Sequence, residues 1–535
     1  MSYLITIGLF AAFPMDKIGQ TVLMEAPDGE VSETAQSDDL TQVAVSFYSY
    51  EDGMMRVIVN GKEKGPYASV WDLRFTKDGN LAYVARDEDD KMYFVLGSKE
   101  YGPYDYAGEY VLSEDGQHYA FVVGKGGTWN EEGYYSGGKF SVFHDGSMGK
   151  EYDYISQLTL SPDGSEVSYI ARKGGKWSED ATYSGGKMFV VRGGKKDKQY
   201  DLVSDLTYSP DGRHLAYIAG TGGKWVGEDY TGGERMVVVD AKALKKRYPF
   251  VEGIVFDSAG TVCYIASLNG KWNENHYYVG GVAFVVVGES EGKKYDFVKG
   301  LTATNSGTVI YIAGEGGRWE EGNYVGGDYY IVQGKRKIGP YNYISQPVVS
   351  KEGNYYACVA SRGGRWDPSG YYAEGKYMVV PNLGNPSKEY ESIAMNTLIL
   401  GDKEGFAFLA SEGGEWNEGS YDGGKVFGVC GQTESERYDV IFPASLNISS
   451  DGKHFSFTAQ NPENSKEFVV VDGKPLEGEH DFVFDRMLLS PDGKYLAYNT
   501  VSDGKIYLNV VEVSEALRKP KEPEKKPDKG KGGKK

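Results

Sequence analysis

Aromatic and acidic side chains recur together at a fixed spacing, and they are the residues in this chain best placed to do surface chemistry. Trp129, Trp177, Trp225, Trp272, Trp319, Trp366 and Trp416 follow one another at intervals of 47–50 residues. Each is followed five or six positions later by a tyrosine: Tyr135, Tyr183, Tyr230, Tyr278, Tyr324, Tyr372 and Tyr421. The stretch between them is acidic and glycines bound it, as in GGKWSEDATYSGG at 174–186 and GGRWEEGNYVGG at 316–327. Asn269 and Glu374 each replace one of those glycines. Two readings of this G-G-x-W…Y-x-G-G loop stand. In one, each Trp packs on its own Tyr or on the next hairpin and seals neighbouring units, an aromatic pair being worth ~0.5–1.5 kcal/mol beyond its buried area. In the other, the Trp faces stay open beside carboxylates and form a repeated surface for glycan or peptide. These fourteen residues are the candidate binding set.

Catalytic signatures are sparse. The six histidines (His118, His144, His214, His276, His454 and His480) fall at different places in different units, so their spacing suggests no metal site. The chain has no G-x-S-x-G elbow and no G-x-x-x-x-G-K-[ST] loop, and no cofactor is implied. Paired carboxylates such as Glu131–Glu132 and Glu320–Glu321 are common, but acidic surface pairs are ordinarily only solvated. A glycosidase or lyase that sets two carboxylates across a central channel is the alternative to a binding protein.

The elements that must carry these loops are strands. The unit at 152–199 holds short Val- and Ile-rich runs separated by S-P-D-G and by the long loop, which is strand and turn chemistry. A tyrosine opens successive units at Tyr67, Tyr104, Tyr152, Tyr200, Tyr248, Tyr295, Tyr341, Tyr390 and Tyr438, with His480 in the tenth place. A period of this size with three or four strands per unit predicts an all-β protein, a β-propeller of about ten four-stranded blades. Ordinary propellers have ~4–8 blades, so two tandem rings are expected rather than one, with a boundary near 250–300. Residues 1–40 form an N-terminal segment. In it MSYLITIGLFAAFP reads either as a clipped signal or as a strand that closes a blade. Blades fill 41–517, and 518–535 is a Lys/Pro/Gly tail with no apolar anchors, expected to be disordered.

Across 535 residues the formal charge is −19, which disfavours nucleic acid as a partner. No run reaches the ~18 apolar residues of a spanning helix, so no integral membrane segment is expected. The three cysteines (Cys263, Cys358 and Cys430) suggest no disulfide framework.

The S-P-D-G turns at 161–164, 209–212 and 490–493, each followed by a strand like LAYIA, resemble the WD-repeat-like propeller blades of the TolB type. Weaker forms occur at 76–79, 113–116, 350–353 and 449–452. The resemblance covers roughly 41–513 and implies four-stranded blades whose first strand lines the axis and whose turn Asp is structural. It also implies a bacterial protein of the cell envelope, periplasmic or extracellular rather than cytoplasmic. Fold does not settle function. The expectation is a non-enzymatic scaffold that holds a protein or neutral glycan partner on the hairpin rim.

Overall fold

The computed structural model describes residues 13–517 except 368, 369, 395 and 418. Both alternatives for the first fourteen residues, and the tail at 518–535, fall wholly or mostly outside the described residues. Runs such as Met-Val-Val-Val at 236–239 form strands because β-branched side chains suit a pleat. They can be apolar throughout because each blade is sandwiched between two others.

Among the described residues the strands form eleven antiparallel blades. Blades 1 to 6 open on Gly29–Gln36, Ser69–Phe75, Tyr106–Leu112, Tyr154–Leu160, Leu202–Tyr208 and Phe250–Phe256. Blades 7 to 11 open on Phe297–Ala303, Tyr343–Ile344, Ser392–Ile393, Asn447–Ile448 and Phe482–Leu489. First strands of successive blades lie against one another, so they line the axis. In blade 8 the outer edge is pinned by a Tyr377–Tyr390 bridge in place of a ladder.

Two tandem rings are not what forms; the blades close into one ring. Apolar clusters pass from blade to blade without a break, including the stretch near 250–300. There Tyr264 and Phe284 of blade 6 pack on blade 5, while Ile265 and Val285 pack on Tyr311 and Val332 of blade 7. Blade 11 then packs on blade 1 through Phe484, Ile506, Val43, Val45 and Phe47. Its fourth strand is Gly19–Glu25, antiparallel to Lys505–Glu512, with Gly19 opposite Val510. The repeat period is the same for one ring or two. What decides closure is a strand almost the whole chain away from its partner. The count is eleven rather than about ten because Gly29–Gln36, inside the N-terminal segment, opens a full blade of its own.

The S-P-D-G turns are structural, as the resemblance implies. Ser161 Oγ donates to Asp163 Oδ1 at 2.5 Å and accepts the Glu166 N–H at 3.0 Å. The turn glycine also makes room for the preceding blade: a Cβ on Gly164 would lie 2.8 Å from His118 Cδ2.

Candidate functional site: the hairpin rim

The G-G-x-W…Y-x-G-G loops are two-stranded hairpins between the second and third strands of blades 3 to 9, in which Trp177 lies opposite Tyr183 and Trp225 opposite Tyr230. The connection between blades emerges on the same rim, because Gly126 N–H donates to Asp105 Oδ2 at 2.8 Å and Trp129 Nε1 donates to the Asp105 carbonyl at 3.2 Å. Asp153, Asp201, Asp296, Asn342 and Glu391 take the equivalent glycine N–H in other blades. The Gly126 N–H and the Lys91 ammonium hold the Asp105 carboxyl below the usual range. Asp201 is lowered likewise, first by Lys187.

Each tyrosine of the candidate set braces its hairpin. Its hydroxyl accepts the N–H of the second loop glycine at 2.7–2.9 Å in all seven copies. Each Trp ring meets its Tyr edge-on, with centroids 5.2–5.6 Å apart. The Trp also reaches the preceding blade: Trp177 packs on Phe140, Trp366 on Tyr329 and Trp416 on Tyr377. In the copies at Trp129, Trp225 and Trp272 that role falls to the guanidinium groups of Arg86, Arg172 and Arg235, 5.1–5.4 Å from the ring centroids. All seven Trp side chains are half-buried, whereas five of the tyrosines are buried and Tyr278 and Tyr421 are half-buried. The sealing contact is therefore present in the fold, and part of each indole still faces solvent.

Neighbouring hairpins also touch. The Tyr277 ring of blade 6 lies over Gly322 of blade 7, where an added Cβ would come within 2.5 Å of it. Tyr371 of blade 8 lies over Gly419 of blade 9 in the same way, at 2.9 Å. His276 Nδ1 meets Asp229 Oδ2 of blade 5 at 3.0 Å. The tips thus join into an arc over adjacent blades. Tyr277 and Tyr371 stand on it, 56% and 60% exposed, and Tyr134 is 59% exposed on the blade 3 hairpin. The sequence reading passed over these three. The signal was the Tyr-Tyr doublet: in an extended segment adjacent side chains face opposite ways, so one tyrosine of each pair must point outward.

On the axis, several inner-strand groups link blades. Glu109 Oε1 accepts the Leu158 N–H of blade 4 at 2.8 Å, and Gln157 Oε1 accepts the Leu206 N–H of blade 5 at 3.2 Å. Glu252 of blade 6 accepts no hydrogen bond from any described residue. Burial first, then the neighbouring Asp205 charge, push it up to about 7 against the pull of Arg235. As residues Asp205 and Glu252 are exposed at the axis, although many protein atoms lie around their carboxyl groups. No group of three or more His, Cys, Asp or Glu among the described residues could hold a metal ion. No helix of the described residues is long and apolar enough to cross a membrane.

Eleven sheets in a ring define a β-propeller with a hairpin-crowned rim. No protein-family model matches the chain, and no curated protein sequence matches it. Among solved structures it is similar to a eukaryotic initiation factor, at 11% identity over 74% of this chain and 96% of that one, with a TM-score of 0.39. The β-propeller domain of the Trilobed protease from Pyrococcus furiosus is similar at 10% identity over 62% and 94%, TM-score 0.29. The Dos1 propeller is similar at 11% identity over 92% and 94%, TM-score 0.24. At these identities and scores the likenesses decide nothing about function. The propeller class rests on this chain's own sheets.

Proposed function

We propose that this chain is a binding or scaffolding propeller that holds a protein or neutral glycan partner against its hairpin rim without turning it over. The observation behind this reading is the repetition itself. Seven hairpins of one geometry each leave part of an indole open, and Tyr134, Tyr277 and Tyr371 stand exposed on three of them. Many equivalent weak contacts suit an extended or repetitive partner, because linked sites raise avidity without any single strong site. The formal charge of −19 favours a neutral partner over a polyanion. The resemblance of the S-P-D-G turns to TolB-type blades supports a setting in a bacterial cell envelope. Glycan and peptide arrays probed with the wild type and with a Tyr134→Ala/Tyr277→Ala/Tyr371→Ala variant test the reading. These side chains are exposed, so the variant is expected to fold.

A second reading, a carbohydrate-active hydrolase or lyase, draws on Asp205 and Glu252. Asp205 raised by burial beside Glu252 raised by burial and then by the Asp205 charge is a combination that general acid catalysis uses. Glycan turnover that disappears in Glu252→Gln would move the protein to that class.

A further inference from the structure

We propose that the seam between blades 3 and 4, on the rim opposite the hairpins, is a binding cleft for an uncharged ligand with an aromatic or branched apolar body beside an amide. The proposal is independent of the hairpin reading. The cleft measures about 630 Å³, within the roughly 300–1,000 Å³ of small-molecule sites. Val142, Val167 and Tyr169 line it, and Met148, 51% exposed, flanks it.

The cleft exists because one repeat position is empty. Gly149 N–H donates to the Val142 carbonyl, a bond that recurs from Asp197, Leu244, Gly292, Ser387, Ser435 and Leu476 in other blades. Five of those six carry a side chain at that place. Asp197 accepts the Tyr217 hydroxyl at 3.2 Å, Leu244 joins the core between blades 5 and 6, and Leu476 is buried. Beside Gly292, the other bare position, Lys293 and Lys337 pair with Glu315 and lie over the Tyr295 ring. Gly149 has no such cover: its missing Cβ would lie 3.6 Å from the Tyr169 hydroxyl.

The polar groups of the cleft select the ligand. His144 lines the cleft, and its Nε2, buried without a hydrogen-bond partner and 3.4 Å from Asp145 Oδ2 outside bonding geometry, can serve an amide once the ring turns toward the ligand. Glu166 is already paired with Arg192 at 2.6 Å and demands no cation. The carboxylates of Asp145 and Asp163 nearby discourage an anion. An uncharged amide next to an apolar side chain fits both conditions. That chemistry belongs equally to a hydrophobic residue within a peptide and to a free N-acyl amino acid amide.

The test follows the Met148 methyl resonance of the ¹³C-methyl-labelled full chain during titration with N-acetylphenylalaninamide and with acetyl-Gly-Phe-Gly-amide. A saturable shift is expected with at least one probe. Tighter binding of the tripeptide identifies a peptide, and equal binding a free amide. Gly149→Asp should weaken binding at least tenfold, because the new side chain fills the cleft as Asp197 fills the next seam. Its Cβ would come 3.1 Å from the Val142 oxygen, so only a small adjustment is needed. If that variant fails to fold, Met148→Lys, which installs the residue found at the equivalent Lys196, serves instead, read by the probes' own line broadening. His144→Ala should weaken binding several-fold with the cleft intact. No shift up to millimolar probe, or a shift that survives the filling variant, overturns the proposal.

Discussion

Gly146 and Gly452 both sit at positive φ, +85° and +73°, yet they differ in what a side chain would meet. A Cβ on Gly146 faces open space, whereas one on Gly452 would overlap the Glu404 carbonyl of blade 9. Gly146→Ala should therefore cost only the left-handed backbone penalty, ~1–2 kcal/mol. Gly452→Ala should cost clearly more, and equilibrium denaturation of the two variants measures the difference; equal losses would mean that the seam yields freely. His118 is a second residue with a readable consequence. Its Nδ1 lies 2.6 Å from Asp145 Oδ2. That hydrogen bond outweighs the opposing effect of burial and, with the charges of Asp145, Asp115 and Asp163 around it, raises its proton affinity. A histidine raised in the folded state contributes stability that is full below its unfolded value and is lost as pH rises through the folded midpoint. NMR titration should place His118 above the ordinary value of 6.5 and show a fall in Asp145→Asn. A midpoint at or below 6.5 would contradict the pairing. At this scale the sequence shows the Asp-Gly turn but hides the seam contact, because the residue a glycine must clear belongs to another blade.

The hairpin is the element that differs from an ordinary blade. Its Trp and Tyr spacing is visible in the sequence, and so is the acidic residue after the opening tyrosine, in Tyr152–Asp153 and Tyr200–Asp201. Their connection is not visible, because it runs through backbone groups: Gly175 N–H donates to the Tyr183 hydroxyl and Gly174 N–H to Asp153. Tyr183→Phe keeps the ring packing and removes one acceptor. It should lower stability by about 1 kcal/mol, rising toward ~3 kcal/mol if no water replaces the hydroxyl. Chemical denaturation together with amide exchange at Gly175 would show it. Unchanged exchange there would mean that the hydroxyl does not hold the loop. Open and packed aromatics were offered as alternatives from sequence because one ring has two faces. The structure sets six of the seven indoles against the preceding blade, Trp319 packing instead on Phe297 and Tyr324 of its own blade, and leaves part of every indole free; the outward tyrosines of the doublets extend that free surface.

The whole molecule depends on a closure that the repeat could not reveal. Period and blade chemistry were legible from 41 onward. The number of rings was not, since it is set by Gly19–Glu25 joining blade 11. The seam beside it is polar. Gln36 of blade 1 donates to Asn499 Oδ1 at 2.7 Å, and Asn499 in turn donates to the Leu40 carbonyl at 3.1 Å. Deleting residues through Glu25 should lower the melting temperature and speed hydrogen exchange in Lys505–Glu512 and Val43–Ser49 before any other blade. Uniform exchange, or none gained, would show that the ring is closed by its cores alone. Closure matters for function because it holds seven hairpins on one rim at fixed spacing, the condition for binding by avidity. The most direct test of that idea is the affinity of the full chain for the glycan or peptide its array selects, with and without Tyr134→Ala/Tyr277→Ala/Tyr371→Ala. The rim account predicts selective retention and at least a tenfold loss in the folded triple variant. Retention of nothing, or binding of undiminished strength in that variant, would contradict it.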